Sequence, residues 1–131
     1  MRRILSLLAA LLAVMSAHAN PPGGTPIDHP VEEVAHTLQS RLPALAMDGM
    51  CEVERAGNGW NFSIRVKAEA ASADEVQVIV RAASASSSEV RIQGVRVEGS
   101  LISSKRKVDP QLSQEWKDRI LALLGAPAAG G

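Results

Sequence analysis

The chain of 131 residues carries 14 basic and 14 acidic side chains, so its formal net charge at pH 7 is zero. This balance differs from the basic excess of nucleic-acid-binding proteins, and the length suits one small domain. The single cysteine, Cys51, excludes an internal disulfide, so packing alone has to stabilise the core.

The first 19 residues have the organisation of a secretory signal peptide. Arg2 and Arg3 precede an almost unbroken apolar run over residues 4–15, and the triplet AHA ending at Ala19 is typical of a cleavage site. The run is shorter than the roughly 20 residues that span a membrane, which disfavours an anchor. Arginine outnumbers lysine and alanine is abundant, which indicates a bacterial source. We therefore predict a periplasmic or secreted protein whose mature chain has no membrane span.

Proline and glycine dominate residues 20–29 (NPPGGTPIDH), which predicts a flexible leader. A helix over about 30–42 follows, with Pro30 in its first turn and Asp28 or His29 as its cap. Its apolar residues recur at helical spacing and are Val31, Val34, Leu38 and Leu42. The globular domain is therefore predicted to begin with this helix.

A β-hairpin is predicted next, because apolar and polar residues alternate on both sides of the sequence AGNG. A two-residue turn at 58–59 (Asn-Gly) would supply the positive φ angles of a type I′ turn. That turn would pair Val53 with Ile64 and Cys51 with Val66. All apolar side chains of the hairpin would then lie on one side of the sheet.

Further strands follow the hairpin. A strand is predicted over 75–82, where one side would carry Val76, Val78, Val80 and Ala82 and the other Gln77, Ile79 and Arg81. In the next strand the alternation shifts by one residue after Gly94, which predicts a β-bulge there. The apolar residues on either side of this shift are Val90, Ile92, Val95 and Val97. Residues 101–108 (LISSKRKV) form either a fifth strand or an extended link.

The last predicted element is a helix over 110–124. Asp109 provides its cap, Pro110 occupies the first helical position and Gly125 ends it. Its apolar stripe consists of Leu112, Trp116, Ile120, Leu123 and Leu124. We predict a disordered tail over 126–131, which leaves 30–125 as the single globular domain.

Short turns between consecutive strands predict an α+β fold with an antiparallel meander of four or five strands. The strands have one apolar side, so an N-terminal and a C-terminal helix are expected to pack on that side as a two-layer sandwich. The other side is predicted to be solvated. Its mixed charges suggest cross-strand pairing and are Glu52, Glu54, Arg65, Lys67, Arg81 and Arg91.

Two features are candidates for sites of chemistry. The acidic neighbours of Cys51 disfavour a reactive thiolate, so we interpret this residue as a small buried hydrophobe. An intermolecular disulfide at a strand edge is the alternative. His29, Glu33 and His36 share a helical stripe, but their spacing differs from that of known histidine metal motifs. A solvated stripe in which Glu32 or Glu33 pairs with His36 is the better interpretation, and we predict no metal, cofactor or catalytic residue.

The candidate binding residues are Lys105, Arg106 and Lys107, together with Trp60. The three cations stand just before the N-terminus of the last helix, where anions are attracted. A charged strand edge that prevents aggregation is the alternative interpretation. Trp60 lies beside the predicted turn and is expected to be more exposed than Trp116.

Taken together, these features favour a small exported, non-enzymatic protein that binds a macromolecule, such as an inhibitor or immunity-type module. Its partner would be another envelope protein or an anionic envelope component, and not a nucleic acid. A carrier of a small apolar ligand or lipid is the first alternative. A small hydrolase or metal-binding enzyme is the second.

Overall fold

The computed structural model describes residues 24–99 and 104–125. Within these ranges the chain forms six strands and two α-helices, with a short 3₁₀ turn after the first helix. In chain order they are β1 (Gly24–Ile27), α1 (Val31–Arg41), the 3₁₀ turn (Leu42–Ala44), β2 (Glu52–Ala56), β3 (Gly59–Ala68), β4 (Ser72–Ala82), β5 (Ser88–Gly99), β6 (Ser104–Val108) and α2 (Pro110–Leu123). The predicted signal peptide (1–19) and tail (126–131) lie outside the described residues. Neither helix of the described part is long and apolar enough to cross a membrane.

All strands belong to one antiparallel sheet with the order β1-β5-β4-β3-β2, and β6 also pairs with β5. Strands β2 to β5 form a meander because each pairs with the next along the chain. Strands β1 and β6 pair with opposite halves of the same edge of β5. The predicted α+β class with an antiparallel sheet is confirmed, and the sheet has six strands rather than four or five.

Residues 24–27 of the predicted flexible leader form strand β1 instead. Pro26 is compatible with this strand because β1 is at the sheet edge, where a missing N–H breaks no ladder. The side chain of Ile27 is buried in the core. The hydroxyl of Ser88 in β5 donates a hydrogen bond to the carbonyl of His29 at 2.7 Å. The proline and glycine content was therefore misleading for these four residues.

Helix α1 lies within the segment 30–42 that the apolar spacing assigns to a helix. Its N-cap is Pro30, which has an extended ψ of 151°, and no side chain caps the helix. The carbonyl of Pro30 accepts the N–H groups of Glu33 and Val34, both at 3.1 Å. The prediction that Asp28 or His29 caps the helix was wrong because the helix begins one residue later than expected.

The core contains residues from both helices and from alternate positions of the strands. Helix α1 lies over β3 and β4, and helix α2 lies over β5. The most buried apolar residues of the strands are Phe62, Ile64, Val76, Val78, Val80 and Val90. We call this side of the sheet the covered side, and the opposite side the open face.

The hairpin register differs from the prediction by two residues. Val53 is opposite Phe62, and Ala56 is opposite Gly59, so the turn occupies 57–58. Of these turn residues only Gly57 has a positive φ, at 57°, which matches a type II′ turn better than a type I′ turn. A shift of two residues preserves the side on which each side chain lies. The predicted apolar side was therefore correct although the predicted pairs were wrong.

The bulge predicted at Gly94 is absent from the β4–β5 ladder, which runs without a shift through the pair Val76–Gly94. Gly94 is instead a packing requirement. A Cβ atom there would lie 2.5 Å from Cγ of Leu112 and 2.7 Å from the nitrogen of Ser113 in α2. The one register shift in the described ladders falls in β3, between Arg65 and Lys67. Beyond Gly94, the apolar residues of β5 lie on the open face.

The C-terminal helix agrees with its prediction. One carboxylate oxygen of Asp109 accepts the backbone N–H groups of Gln111 and Leu112 at 3.0 and 3.1 Å. Pro110 is the first helical residue, and Gly125 follows the helix with a φ of 70°. These caps satisfy the groups that a helix end leaves without partners.

Candidate binding surface

The open face carries the residues that alternate with the core positions of the strands. In β4 these are Glu75, Gln77 and Ile79, which are opposite Arg65, Ser63 and Asn61 of β3. A depression of about 550 Å³ extends over this part of the face. Its lining also includes Glu52 and Glu54 of β2 and Arg106 of β6. The face therefore has a polar and charged rim, with the half-buried side chain of Ile79 between its charged groups.

Glu75 is the most constrained charged group of the open face. Its carboxylate lies 2.6 Å from Nη2 of Arg106 and 4.0 Å from Nη2 of Arg65. The side chain of Glu75 is only 15% exposed, whereas both arginines are about half exposed. The three side chains connect β3, β4 and β6 across the open face.

The bridge between Glu75 and Arg106 also passes over an apolar part of β5. Glu75 is opposite Val95 in the β4–β5 ladder, and Arg106 is opposite Val97 in the β5–β6 ladder. Val95 is only 4% exposed although it projects to the open face. The aliphatic part of an arginine side chain shields apolar surface in this way while its charged end remains partly solvated. The bridge therefore explains why the open face tolerates these two valines.

A second group of hydrogen bonds orders the open face near the β2–β3 turn. The guanidinium of Arg81 donates to the carbonyls of Val80 and Trp60, at 2.8 and 3.3 Å, and to Oδ1 of Asn61 at 3.1 Å. The amide of Asn61 is thereby held in one orientation. Neither Asn61 nor Glu75 was predicted as a site residue. The β3–β4 register, which places them beside Arg81 and Arg65, was the signal that would have identified them.

Cross-strand pairing of the mixed charges is present at only one of the predicted positions. Arg65 pairs with Glu75, whereas the bulge in β3 places Lys67 opposite Asp74, away from the open face. Lys67 forms its ion pair with Glu69, at 3.2 Å. Within the described residues, Glu52 and Glu54 make no ion pair. The β2 margin of the open face therefore carries negative charge that no ion pair of the described residues compensates.

The predicted cation cluster is divided between the two sides of the sheet. Lys105, Arg106 and Lys107 are all exposed and form the centre of β6. Arg106 reaches Glu75 on the open face, while Lys105 and Lys107 are opposite Glu98 and Arg96 on the other side. Alternation along a strand accounts for this division. The three side chains therefore project to both sides of β6, although all three line one depression beside the N-terminus of α2.

The N-terminus of α2 already has its own charged partners. Arg96 lies 3.2 Å from Asp74 and 3.8 Å from Asp109, the capping residue. The hydrogen bond to Asp74 and the negative charges around it raise the pKa of Arg96. A depression of about 750 Å³ lies beside this group and is also lined by Lys105, Arg106 and Lys107. Asp109 occupies the position that an anion would take at the helix terminus, as expected from the sequence.

Trp60 lies on the covered side and is separated from β6 by two strands. Its ring packs partly against the core, and the guanidinium of Arg55 lies 5.1 Å from the ring centroid. Its indole N–H is buried and has no hydrogen-bond partner among the residues that the structure describes. Trp60 is more exposed than Trp116, as predicted. The structure does not bring Trp60 and the cations of β6 together.

Cys51 is half-buried and packs against the core, so the interpretation as a small hydrophobe is correct in kind although the burial is incomplete. Its thiol donates to the carbonyl of Glu52 at 3.7 Å. Partial burial raises the pKa of Cys51, the backbone hydrogen bond from Ser63 opposes this, and the charge of Glu52 adds to it. A raised pKa disfavours the reactive thiolate near neutral pH.

Glu33 pairs with His29, at 3.4 Å between Oε1 and Nδ1, rather than with His36 as the sequence suggested. In residues 24–99 and 104–125, no three histidine, cysteine or acidic side chains are grouped closely enough to hold a metal ion. Comparison of the chain with protein families, with curated proteins and with solved structures finds no match in any of the three. The geometry of the open face is therefore the basis on which a function can be inferred.

Proposed function

We propose that this chain is a small exported protein that binds another envelope protein through the open face of its sheet and catalyses no reaction. The signal-peptide pattern of the first 19 residues supports the export. The observation that carries the binding proposal is the ordered charge arrangement around Glu75, which both Arg65 and Arg106 approach. A domain of this size suits a role as an inhibitor or immunity-type module.

The open face has the composition of a protein-binding surface. Ile79 supplies apolar area between polar neighbours, and charged residues surround it. Side chains that are already held by hydrogen bonds, such as Asn61 and Arg81, lose little conformational entropy when a partner binds. The unpaired Glu52 and Glu54 at one margin favour a partner with basic side chains at the corresponding position.

A matched pair of variants tests this proposal. Gln77→Arg places a bulky cation on the floor of the depression, while Gln39→Arg makes the same change at an exposed position of helix α1. The tagged chain is expressed with its own predicted signal peptide and purified. It is then used to recover partners from an envelope extract of the source organism. We expect the wild-type chain and the Gln39→Arg variant to recover the same protein in stoichiometric amount.

Gln77→Arg is expected to weaken that recovery by at least about tenfold, because the centre of an interface carries most of its binding energy. Equal recovery by both variants would remove the open face from the binding site. Native mass spectrometry of the same preparation distinguishes a binding module from an apolar-ligand carrier, since a carrier would retain a small apolar molecule and show no stoichiometric protein partner.

A further inference from the structure

The two free edges of the sheet carry opposite charges. Strand β2 forms one edge, and among the described strands it pairs only with β3. Strand β6 lies at the other edge, where β5 is its one partner within residues 24–99 and 104–125. We call the outer edge of β2, with Glu52 and Glu54, the acidic edge. We call the outer edge of β6, with Lys105 and Lys107, the basic edge.

Both edges are accessible to a further strand. All residues of β6 and all but the last of β2 are exposed. Their apolar residues are exposed too, at 36% for Val53 and 49% for Val108. An open strand edge presents unpaired N–H and C=O groups to any strand that can approach it. What controls association at these edges is therefore the charge of the approaching strand.

Charge disfavours the symmetric pairings between two copies, since Arg55, the remaining charged residue of β2, is already paired with Glu32 of α1 at 3.6 Å. Two acidic edges would place glutamates opposite glutamates, and two basic edges would place cations opposite cations, which is unfavourable across a strand pair. An acidic edge beside a basic edge has no such conflict. In an antiparallel arrangement, Glu52 of one copy would be opposite Lys107 of the next, and Glu54 opposite Lys105.

We propose that copies of this chain associate head to tail, with the acidic edge of one copy adding to the basic edge of the next in one continuous sheet. The four residues of this contact make no ion pair within the described residues of a single copy, so pairing between copies breaks none of the salt bridges observed. Because each copy retains one free edge of each kind, the association is heterologous and can continue beyond a dimer.

The sides of the sheet define how successive copies are oriented. Glu52 and Glu54 lie on the open face, since they are opposite Ser63 and Asn61 of β3. Lys105 lies on the covered side. Directly opposite residues of paired strands project to the same side of a sheet. The covered side of the next copy must therefore face the same way as the open face of the first copy, which means that the next copy is turned over. Its helices then flank the open face of the first copy at the β2 margin, so the two copies share Glu52 and Glu54 with the proposed envelope partner, whereas the centre of the open face is left to that partner.

Sedimentation velocity of the purified chain over a range of concentrations tests the proposal, with a reducing agent present to exclude a disulfide through Cys51. We expect reversible association that weakens as salt is added, because exposed charges are screened. A single monomeric species at every concentration would show that the charged edges only prevent aggregation, and would overturn the proposal.

Charge reversal provides the decisive variants. The acidic-edge variant Glu52→Lys/Glu54→Lys and the basic-edge variant Lys105→Glu/Lys107→Glu should each lower the association constant by at least about tenfold. Mixing the two variants should restore association, because each then meets a complementary edge. The fourfold variant, which exchanges the charges within one chain at unchanged net charge, should also associate. Loss of association without rescue in either experiment would contradict the edge pairing.

Self-association through the strand edges and partner binding through the open face can be tested independently of each other. The basic-edge variant Lys105→Glu/Lys107→Glu should remain folded by circular dichroism and should still recover the envelope partner, because Lys105 and Lys107 lie on the covered side of the sheet. Gln77→Arg, in turn, should self-associate like the wild-type chain, since Gln77 is in β4 and away from both edges.

Discussion

Val78 and Ile79 are neighbours in β4, yet they lie on opposite sides of the sheet in different surroundings. Val78 has no exposed surface and is enclosed by the core beneath the helices, whereas Ile79 is half-buried among polar side chains of the open face. The covered side is stabilised by non-directional burial of apolar surface. The open face is organised by particular ion pairs and hydrogen bonds. The two sides should therefore respond differently to substitution.

Truncating one aromatic ring on the covered side should give the largest effect. Phe62 is 1% exposed, so Phe62→Ala removes buried surface and leaves a cavity. We expect the free energy of unfolding in urea to fall by about 3–5 kcal/mol. Ile79→Ala on the open face is the control, with an expected loss of about 1 kcal/mol because this side chain is only half-buried. Equal losses would mean that the two sides do not differ in packing.

Gly94 tests how closely helix α2 approaches the sheet. Gly94→Ala would bring a methyl group within 2.5 Å of Leu112 and 2.7 Å of the backbone nitrogen of Ser113. We expect a loss of stability of about 1–3 kcal/mol from this overpacking, measured by urea unfolding. Gln93→Ala, at the adjacent position on the open face, should have a much smaller effect. A neutral Gly94→Ala variant would show that the helix can move away.

Asp109 tests the cap of α2. Asp109→Ala removes the acceptor of two backbone N–H groups, and we expect thermal unfolding to show a loss of about 1 kcal/mol. Asp109→Asn keeps a capping oxygen but loses the charge that faces Arg96. Near-wild-type stability of the asparagine variant would assign the effect to the cap. An equal loss in both variants would assign it to the ion pair.

Cys51, at the β2 margin of the sheet, should show the smallest effect. Because its pKa is raised in the folded chain, we expect slower alkylation by iodoacetamide at about pH 8 in the native chain than in urea. The thiol of the unfolded chain ionises at a lower pH than the thiol of the folded chain. The contribution of Cys51 to the free energy of unfolding is therefore complete below the pKa of the unfolded thiol, and it is lost as the pH rises through the pKa of the folded thiol. Mass spectrometry of timed samples measures the rates, and equal rates would show that burial does not protect the thiol.

The sequence predicted those parts of the fold in which a single local pattern determines the structure. The caps Asp109 and Gly125 and the apolar stripe between them identified the C-terminal helix. The alternation in β4 identified its core side. The sequence AGNG was ambiguous because it contains two glycines, so the hairpin register was displaced by two residues. Strand β1 was missed because its pairing with β5 is not encoded in its own composition.

Much less of the candidate surface could be predicted. The run Lys105, Arg106 and Lys107 was recognised, but its division between the two sides of the sheet depends on β6 being a strand. The bridge from Glu75 to Arg106 crosses β5 and therefore requires the register of two ladders. The bulge in β3, which removes Lys67 from the open face, contains no glycine that would have indicated it.

The long edge of β5 has a consequence for the order in which the chain folds. Its first half is completed by β1 and its second half by β6, so the two ends of the domain meet on one strand. The hydrogen bond between Ser88 and His29 joins residues that are 59 positions apart. The hairpins from β2 to β5 close over short loops and can form early, whereas β1 has to wait until β5 has emerged from the ribosome. Topology thus makes the first strand synthesised one of the last to find its partner.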